Sequence, residues 1–342
     1  MKKLYIVTGA LGHLGSTIIR YLRDVDCEIR GLIFPCDDAT NSYQTTYYKG
    51  DVTKLKTLEP LFANISAYEV TVIHTAAIIS IGEKITPHLY DVNVNGTKNI
   101  IDMCVKHRVR RLVHVSSVHA IPELEDGACI SEVDSFSAEA VHGAYSKTKA
   151  EASQAVMDAV KAGLDAVIVH PSGIIGPFDG GDNHLVQLIS MYITGKLLAG
   201  ISGGYDFVDV RDVAKGCLLA ADAGKTGRCY ILSNCYCSVK EILEMARRVT
   251  GGKKIVCFPI FLAKVALPFF EFFAKVRKTR PLYTRYALYT LSSNGNFSHE
   301  RASQELGYSP RDLKSTVRDT VFWLEGAQVR LDKMDETNAG NN

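Results

Sequence analysis

Through the first half of the chain, short runs of consecutive apolar and β-branched residues alternate with longer stretches whose apolar residues recur every three or four positions. Leu4–Thr8, Glu28–Phe34, Val70–His74, Arg111–Ser116 and Ala166–Pro171 are predicted as strands, with a further strand before Gly50. Between them, His13–Arg23, Lys54–Phe62, Leu89–His107 and Gly143–Ala162 have helical spacing and few breakers. The alternation predicts an α/β fold: a doubly wound parallel sheet with right-handed crossovers placing helices on both faces.

After Pro171 the rhythm breaks into glycine-rich connections at Gly173, Gly176, Gly180 and Gly181. The expected organisation is a nucleotide-binding part over 1–171, to which 205–226 returns as a strand and helix. A smaller substrate-binding part covers 172–204 and 227–331, and a flexible polar tail covers 332–342. Ile255–Val276 is rich in Phe, Leu, Ile and Ala but is interrupted by Pro259, Lys264, Pro268, Glu271 and Lys275, which speaks against a spanning helix. Short helices covering an apolar pocket are the favoured reading, with membrane-surface contact as the rival.

Charge narrows the partners. Thirty-nine Lys and Arg against 37 Asp and Glu leave a net charge of +2, which provides no general field for nucleic acid. Nine cysteines include Cys235 and Cys237, but their spacing is not that of a zinc site, so reduced thiols and no metal are expected. The apolar run after Met1 is too short for a signal peptide, and a cytoplasmic protein is expected.

Thr8-Gly9-Ala10-Leu11-Gly12-His13-Leu14-Gly15 directly follows the first strand and opens a helix. Glycines there permit a tight turn, and the free N–H groups of a helix N-terminus suit a pyrophosphate. Asp37 and Asp38 follow the second strand, where either NAD or NADP is selected, and favour NAD slightly; the direction of Arg30 is open. Asp51, followed by Val52, could accept the adenine amino group, and the small residues around Ala76 would let a flat cofactor lie close. His74 reads as a structural, hydrogen-bonded histidine.

Ser116 and Ser117 end one strand, and Tyr145 and Lys149, four apart, share one face of the next helix. A phenol with a pKa near 10 is a poor base at neutral pH, and an adjacent ammonium favours its phenolate. Lys149 can thus tune Tyr145 and hold a ribose, while Ser117 hydrogen-bonds the reacting oxygen.

From Lys3 to about Glu325 the chain resembles the extended short-chain dehydrogenase/reductase superfamily. The resemblance extends to Asp91-Val92-Asn93-Val94-Asn95-Gly96-Thr97-Lys98-Asn99, His170-Pro171-Ser172-Gly173-Ile174-Ile175-Gly176-Pro177, Phe207-Val208-Asp209-Val210-Arg211-Asp212-Val213-Ala214 and Glu305-Leu306-Gly307-Tyr308-Ser309-Pro310. It implies a Rossmann-type fold, NAD or NADP as cofactor, a small-molecule substrate and a homodimer. It also implies catalysis by Ser117, Tyr145 and Lys149, dinucleotide contacts at His13, Leu14, Asp51 and Val52, and Pro171 and Ser172 beside the nicotinamide.

Within the superfamily the chain is most similar to the dihydroflavonol-reductase and hydroxysteroid-dehydrogenase branch, whose substrates are bulky and apolar. Nucleotide-sugar epimerases carry an asparagine for the diphosphate where this chain has Gly173. An apolar lid of Phe258, Phe261, Leu262, Leu267, Phe269 and Phe270 is expected, whereas Arg211 could still meet a diphosphate and keeps the epimerase/dehydratase alternative open. A second alternative is a dinucleotide-binding redox sensor without turnover.

Overall fold

The computed structural model describes residues 1–42, 44–80, 82–180, 183–263 and 285–326. Leu267, Phe269, Phe270, Gly181 and the 332–342 tail lie outside them.

Seven parallel strands form the main sheet in the order β10-β6-β5-β4-β1-β2-β3, with β1 Lys2–Thr8, β2 Cys27–Ile33, β3 Thr45–Lys49, β4 Tyr68–His74, β5 Arg111–Val115, β6 Ala166–Pro171 and β10 Cys229–Leu232. Strands buried on both faces need apolar residues at successive positions rather than alternate ones. Leu4 and Ile6 of β1 accordingly enter the core on one face, while Tyr5 and Val7 enter the core on the other. The first face is covered by α4 Gly96–Lys106 and α5 Ala144–Lys161, the second by α1 His13–Leu22 and α7 Val210–Ala223.

Two predicted helices are subdivided. Pro60 leaves α2 Leu55–Leu58 followed by a 3-10 turn, and α3 Pro87–Tyr90 passes through a π-helical turn, Asp91–Asn95, before α4. The Asn93 side chain ties this turn to the segment after β4 and to α5. Its Oδ1 accepts from the Ile78 N–H at 2.8 Å, while Nδ2 donates to the Ile78 carbonyl at 3.0 Å and to Thr148 Oγ1 at 3.1 Å.

Beyond Pro171 the pairing departs from expectation. β9 Gly204–Asp209 joins β7 Gly173–Ile175 and β11 Cys235–Ser238 in a separate three-stranded sheet, and only its following helix, α7, packs against the main sheet. The strand that returns to the main sheet is β10, inside the stretch from 227 assigned to the other part. The physical reason is length: Cys229-Tyr230-Ile231-Leu232 is wholly buried although β10 is the edge strand beside β6, and four residues give too little pattern to be read alone. The second part also contains α6 His184–Ile193, α8 Val239–Thr250 and the short pair β8 Gly200–Ile201 and β12 Cys257–Phe258.

No helix among the described residues is long and apolar enough to cross a membrane. All nine cysteines are free, and no group of three or more His, Cys, Asp or Glu among the described residues could hold a metal ion.

Candidate active site

The carboxyl ends of β1, β4, β5 and β6 open onto a cavity of about 720 Å³. Gly9, Gly12, His13, Leu14 and Gly15 line it at β1, Ala76 after β4, Ser117 after β5, and Pro171 and Ser172 at β6; Tyr145 and Lys149 reach it from α5. Sequence-distant candidates therefore meet in one place.

The glycine turn is sterically fixed. Gly9 has φ +65°, and a Cβ on Gly15 would stand 2.1 Å from the Gly9 carbonyl oxygen. A Cβ on Gly9 itself would come within 3.0 Å of the Ala76 backbone. Close packing of strand, turn and helix leaves the N-terminal end of α1 facing the cavity, a cradle that fits a dinucleotide pyrophosphate.

Lys149 is buried, and its Nζ donates to the Val115 carbonyl at 2.7 Å. Burial pushes its pKa down to about 7. Ser117 Oγ accepts from the His119 N–H at 3.2 Å, which caps a 3-10 turn, and Ser116 is instead tied to Ser153 at 2.7 Å. His119 also stacks on Tyr205, with centroids 5.4 Å apart, and stands edge-on to Tyr145 at 6.3 Å. Burial pushes its pKa down to about 4, so the ring is neutral. The role of His119 as a cavity wall was not visible in the sequence; its only signal was proximity to Ser117.

Ser172 donates to the Asp206 carboxylate, which also accepts from the Asn234 N–H at 3.0 Å. Burial raises the Asp206 pKa to about 6 against the effect of these two donors. A Cβ on Gly173 would stand 2.9 Å from the Asp206 carbonyl oxygen and 3.0 Å from the Phe207 ring, so a longer side chain has no room there.

Asp51 and Val52 lie outside the cavity lining. Asp51 Oδ1 accepts from the Thr53 N–H and hydroxyl at 2.9 and 2.8 Å, while the Val52 carbonyl accepts from Asn99 at 2.8 Å. Arg30 donates to the carbonyls of Leu61 and Ala63 at 2.7 Å each, and Asp38 pairs with Lys49 at 2.7 Å. His74 is buried and neutral, its pKa pushed down to about 3 by burial, and it bridges Thr8 and Thr97 at 2.7 and 3.1 Å.

Two expectations are corrected. Arg211 is not available to a diphosphate: it is buried, with Nη2 2.7 Å from Asp209 Oδ2 and 2.8 Å from Asp319 Oδ2. Phe258, Phe261 and Leu262 are exposed and do not line the cavity. Its apolar wall comes instead from Ile78, Ile79, Leu185, Leu188, Phe207 and Leu291.

The sheet order and the glycine turn at its switch point define a dinucleotide-binding Rossmann-type protein. The model of the NAD dependent epimerase/dehydratase family matches residues 5–233. Sterol demethylase protein B of Methylococcus capsulatus is 30% identical over 326 residues, 93% of this chain and 97% of that protein. The decarboxylating sterol-4-alpha-carboxylate 3-dehydrogenase of Schizosaccharomyces pombe is 28% identical over 341 residues, 92% of this chain and 95% of that protein. The crystal structure of gox2253 superposes with a TM-score of 0.79 at 28% identity, covering 95% of this chain and 99% of that one. The chain belongs to the NAD dependent epimerase/dehydratase family. It is an NAD(P)-dependent oxidoreductase of the extended short-chain type.

Proposed function

We propose that the chain interconverts a ketone and a secondary alcohol on a bulky, largely apolar small molecule, with Tyr145 as general acid and base. The observation that carries this reading is the convergence of Ser117, Tyr145, Lys149 and the glycine turn on one cavity. A nicotinamide bound there supplies or accepts the hydride. Tyr145 donates a proton to the carbonyl oxygen in reduction and takes it back in oxidation. Lys149, as an ammonium, favours the phenolate of Tyr145 and offers donors to the ribose. The Ser117 hydroxyl hydrogen-bonds the reacting oxygen.

In this reading the N–H groups of His13, Leu14 and Gly15, which follow the turn at Gly9 and Gly12, would receive the pyrophosphate. Pro171 and Ser172 would lie beside the nicotinamide, the small Ala76 would let the flat cofactor lie close, and Asp51 would accept the adenine amino group. The apolar wall, and the two relatives above that are sterol enzymes by name, support an apolar substrate. The pairing of Arg211 and the crowding at Gly173 speak against a nucleotide sugar.

Parallel assays with hydroxysteroid and ketone panels and with UDP-, GDP- and dTDP-sugars, following nicotinamide absorbance and sugar products, test the reading. Turnover is expected on the apolar panel. Epimerisation or dehydration of a nucleotide sugar, with no activity on that panel, would overturn it, and dinucleotide binding without turnover on either would favour the redox sensor.

A further inference from the structure

The residues that follow β7 are fastened to α1 at three points. His13 Nε2 lies 2.8 Å from the Pro177 carbonyl oxygen, and His13 Nδ1 lies 3.1 Å from Asn183 Nδ2. Burial lowers the His13 pKa against the opposing influence of the Pro177 hydrogen bond, Asp179 and Asp209. The neutral ring can therefore donate to Pro177 from one nitrogen and accept from Asn183 at the other. The third point is Phe178, whose ring lies under the Arg20 guanidinium at 4.2 Å and edge-on to Trp323 at 5.4 Å.

Phe178 has φ +73°, in the left-handed region that costs a bulky residue free energy and persists only where the surroundings hold it. Asn183 carries the connection onward. Its Oδ1 accepts from the Leu185 and Val186 N–H groups at 2.9 and 3.3 Å, capping α6, and its amide also donates to the Ile174 carbonyl at 2.8 Å. Leu185 and Leu188 of that helix line the apolar side of the cavity.

We infer that His13 is a positioning residue that couples the dinucleotide loop to the α6 wall of the substrate cavity, so that dinucleotide binding orders α6. The inference rests on the dinucleotide-binding reading of the glycine turn. His13 is the first residue of α1: its backbone stands where a pyrophosphate meets the helix N-terminus, and its side chain holds both Pro177 and the cap of α6. Fixing the loop around a bound dinucleotide fixes the ring, and the ring fixes Asn183. Cofactor binding thereby pre-forms the wall that receives an apolar substrate.

Hydrogen exchange of the full chain, read at the amides of residues 185–193 with and without saturating NADH, tests this. NADH is expected to slow exchange there by about fivefold in the parent protein. His13→Ala, at NADH saturating for that variant, should reduce the slowing to less than about twofold. Asn183→Ser keeps a capping hydroxyl for α6, leaves the glycine turn untouched and removes the amide that meets His13, so it should show the same loss. Undiminished slowing in Asn183→Ser, or no effect of NADH on these amides in a parent protein that binds it, would overturn the coupling. Failure of the parent protein to bind NADH or NADPH would instead overturn the dinucleotide reading.

Discussion

The Lys149 ammonium group donates to the Val115 carbonyl at 2.7 Å in a buried setting that pushes its pKa down to about 7. Below that pH both the folded and unfolded chains hold the proton. Between about 7 and the ordinary value of 10.5 only the unfolded chain does, so the stability contribution of this site rises with pH over that window. Lys149→Met should remove this rise and should be no less stable than the parent near pH 6, while losing turnover. Cofactor-free melts from pH 6 to 9 check both points.

Tyr145→Phe removes the proposed proton donor from a buried side chain on α5 that stands edge-on to His119. Turnover on an identified substrate should fall by roughly 10²–10⁴ with the fold retained. Near-parental turnover would displace Tyr145 from the mechanism, and circular dichroism would show whether the fold is intact.

His114 sits beside His74 in the centre of the sheet, with ring centroids 5.6 Å apart, and neither of its nitrogens has a hydrogen-bond partner among the described residues. Burial holds its pKa well below 6.5, and it lowers those of His74 and His170 to about 3 and about 4. Unfolding lets all three take up protons, so stability should fall as pH drops from about 6.5 toward 4. His114→Leu should flatten this fall and stabilise the protein by about 1–3 kcal/mol, because it replaces unpaired buried polar atoms with an apolar group. Calorimetry across that pH range measures the slope.

Arg211→Met leaves Asp209 and Asp319 facing each other without their shared partner. Burial opposes the charge on Asp209, and Arg211 and Arg311 overcome this to hold its carboxyl below the ordinary range. A loss of about 3–5 kcal/mol is expected in urea denaturation, the scale for breaking a buried ion pair. A fully stable variant with weakened binding of a nucleotide sugar would return Arg211 to the substrate site.

Gly15→Ala would place a methyl group 2.1 Å from the Gly9 carbonyl, a clash that only a shifted turn relieves. NADH affinity should fall by about tenfold or more, measured by fluorescence titration, since the backbone could no longer approach the pyrophosphate closely.

The main sheet was largely legible because strands such as Leu4–Thr8 and Ala166–Pro171 are continuous apolar runs and the intervening helices have clear periodicity. The same held for Tyr145 and Lys149, since four-residue spacing on a helix fixes a common face without reference to the rest of the molecule. Less legible was the second half. β10 is four residues long, and β9 carries polar Asp206 and Asp209, whose burial depends on a donor from distant Asn234 for the first and on Arg211, two residues on, for the second.

What the sequence determined by itself was therefore whatever depends on neighbours in the chain: the alternation of strand and helix, the glycine turn at the start of α1 and the tyrosine–lysine pair. Tertiary structure decided which side chains were already committed. Arg211 looked like a free cation until distant Asp319 joined its neighbour Asp209 in burying it, the Phe258–Leu262 segment looked like a lid until the cavity closed elsewhere, and His13 acquired its partners from residues 164 and 170 positions away. The reason is physical: periodicity and local sterics act within a few residues, whereas hydrogen-bond partners and burial depend on which distant segments the fold brings together.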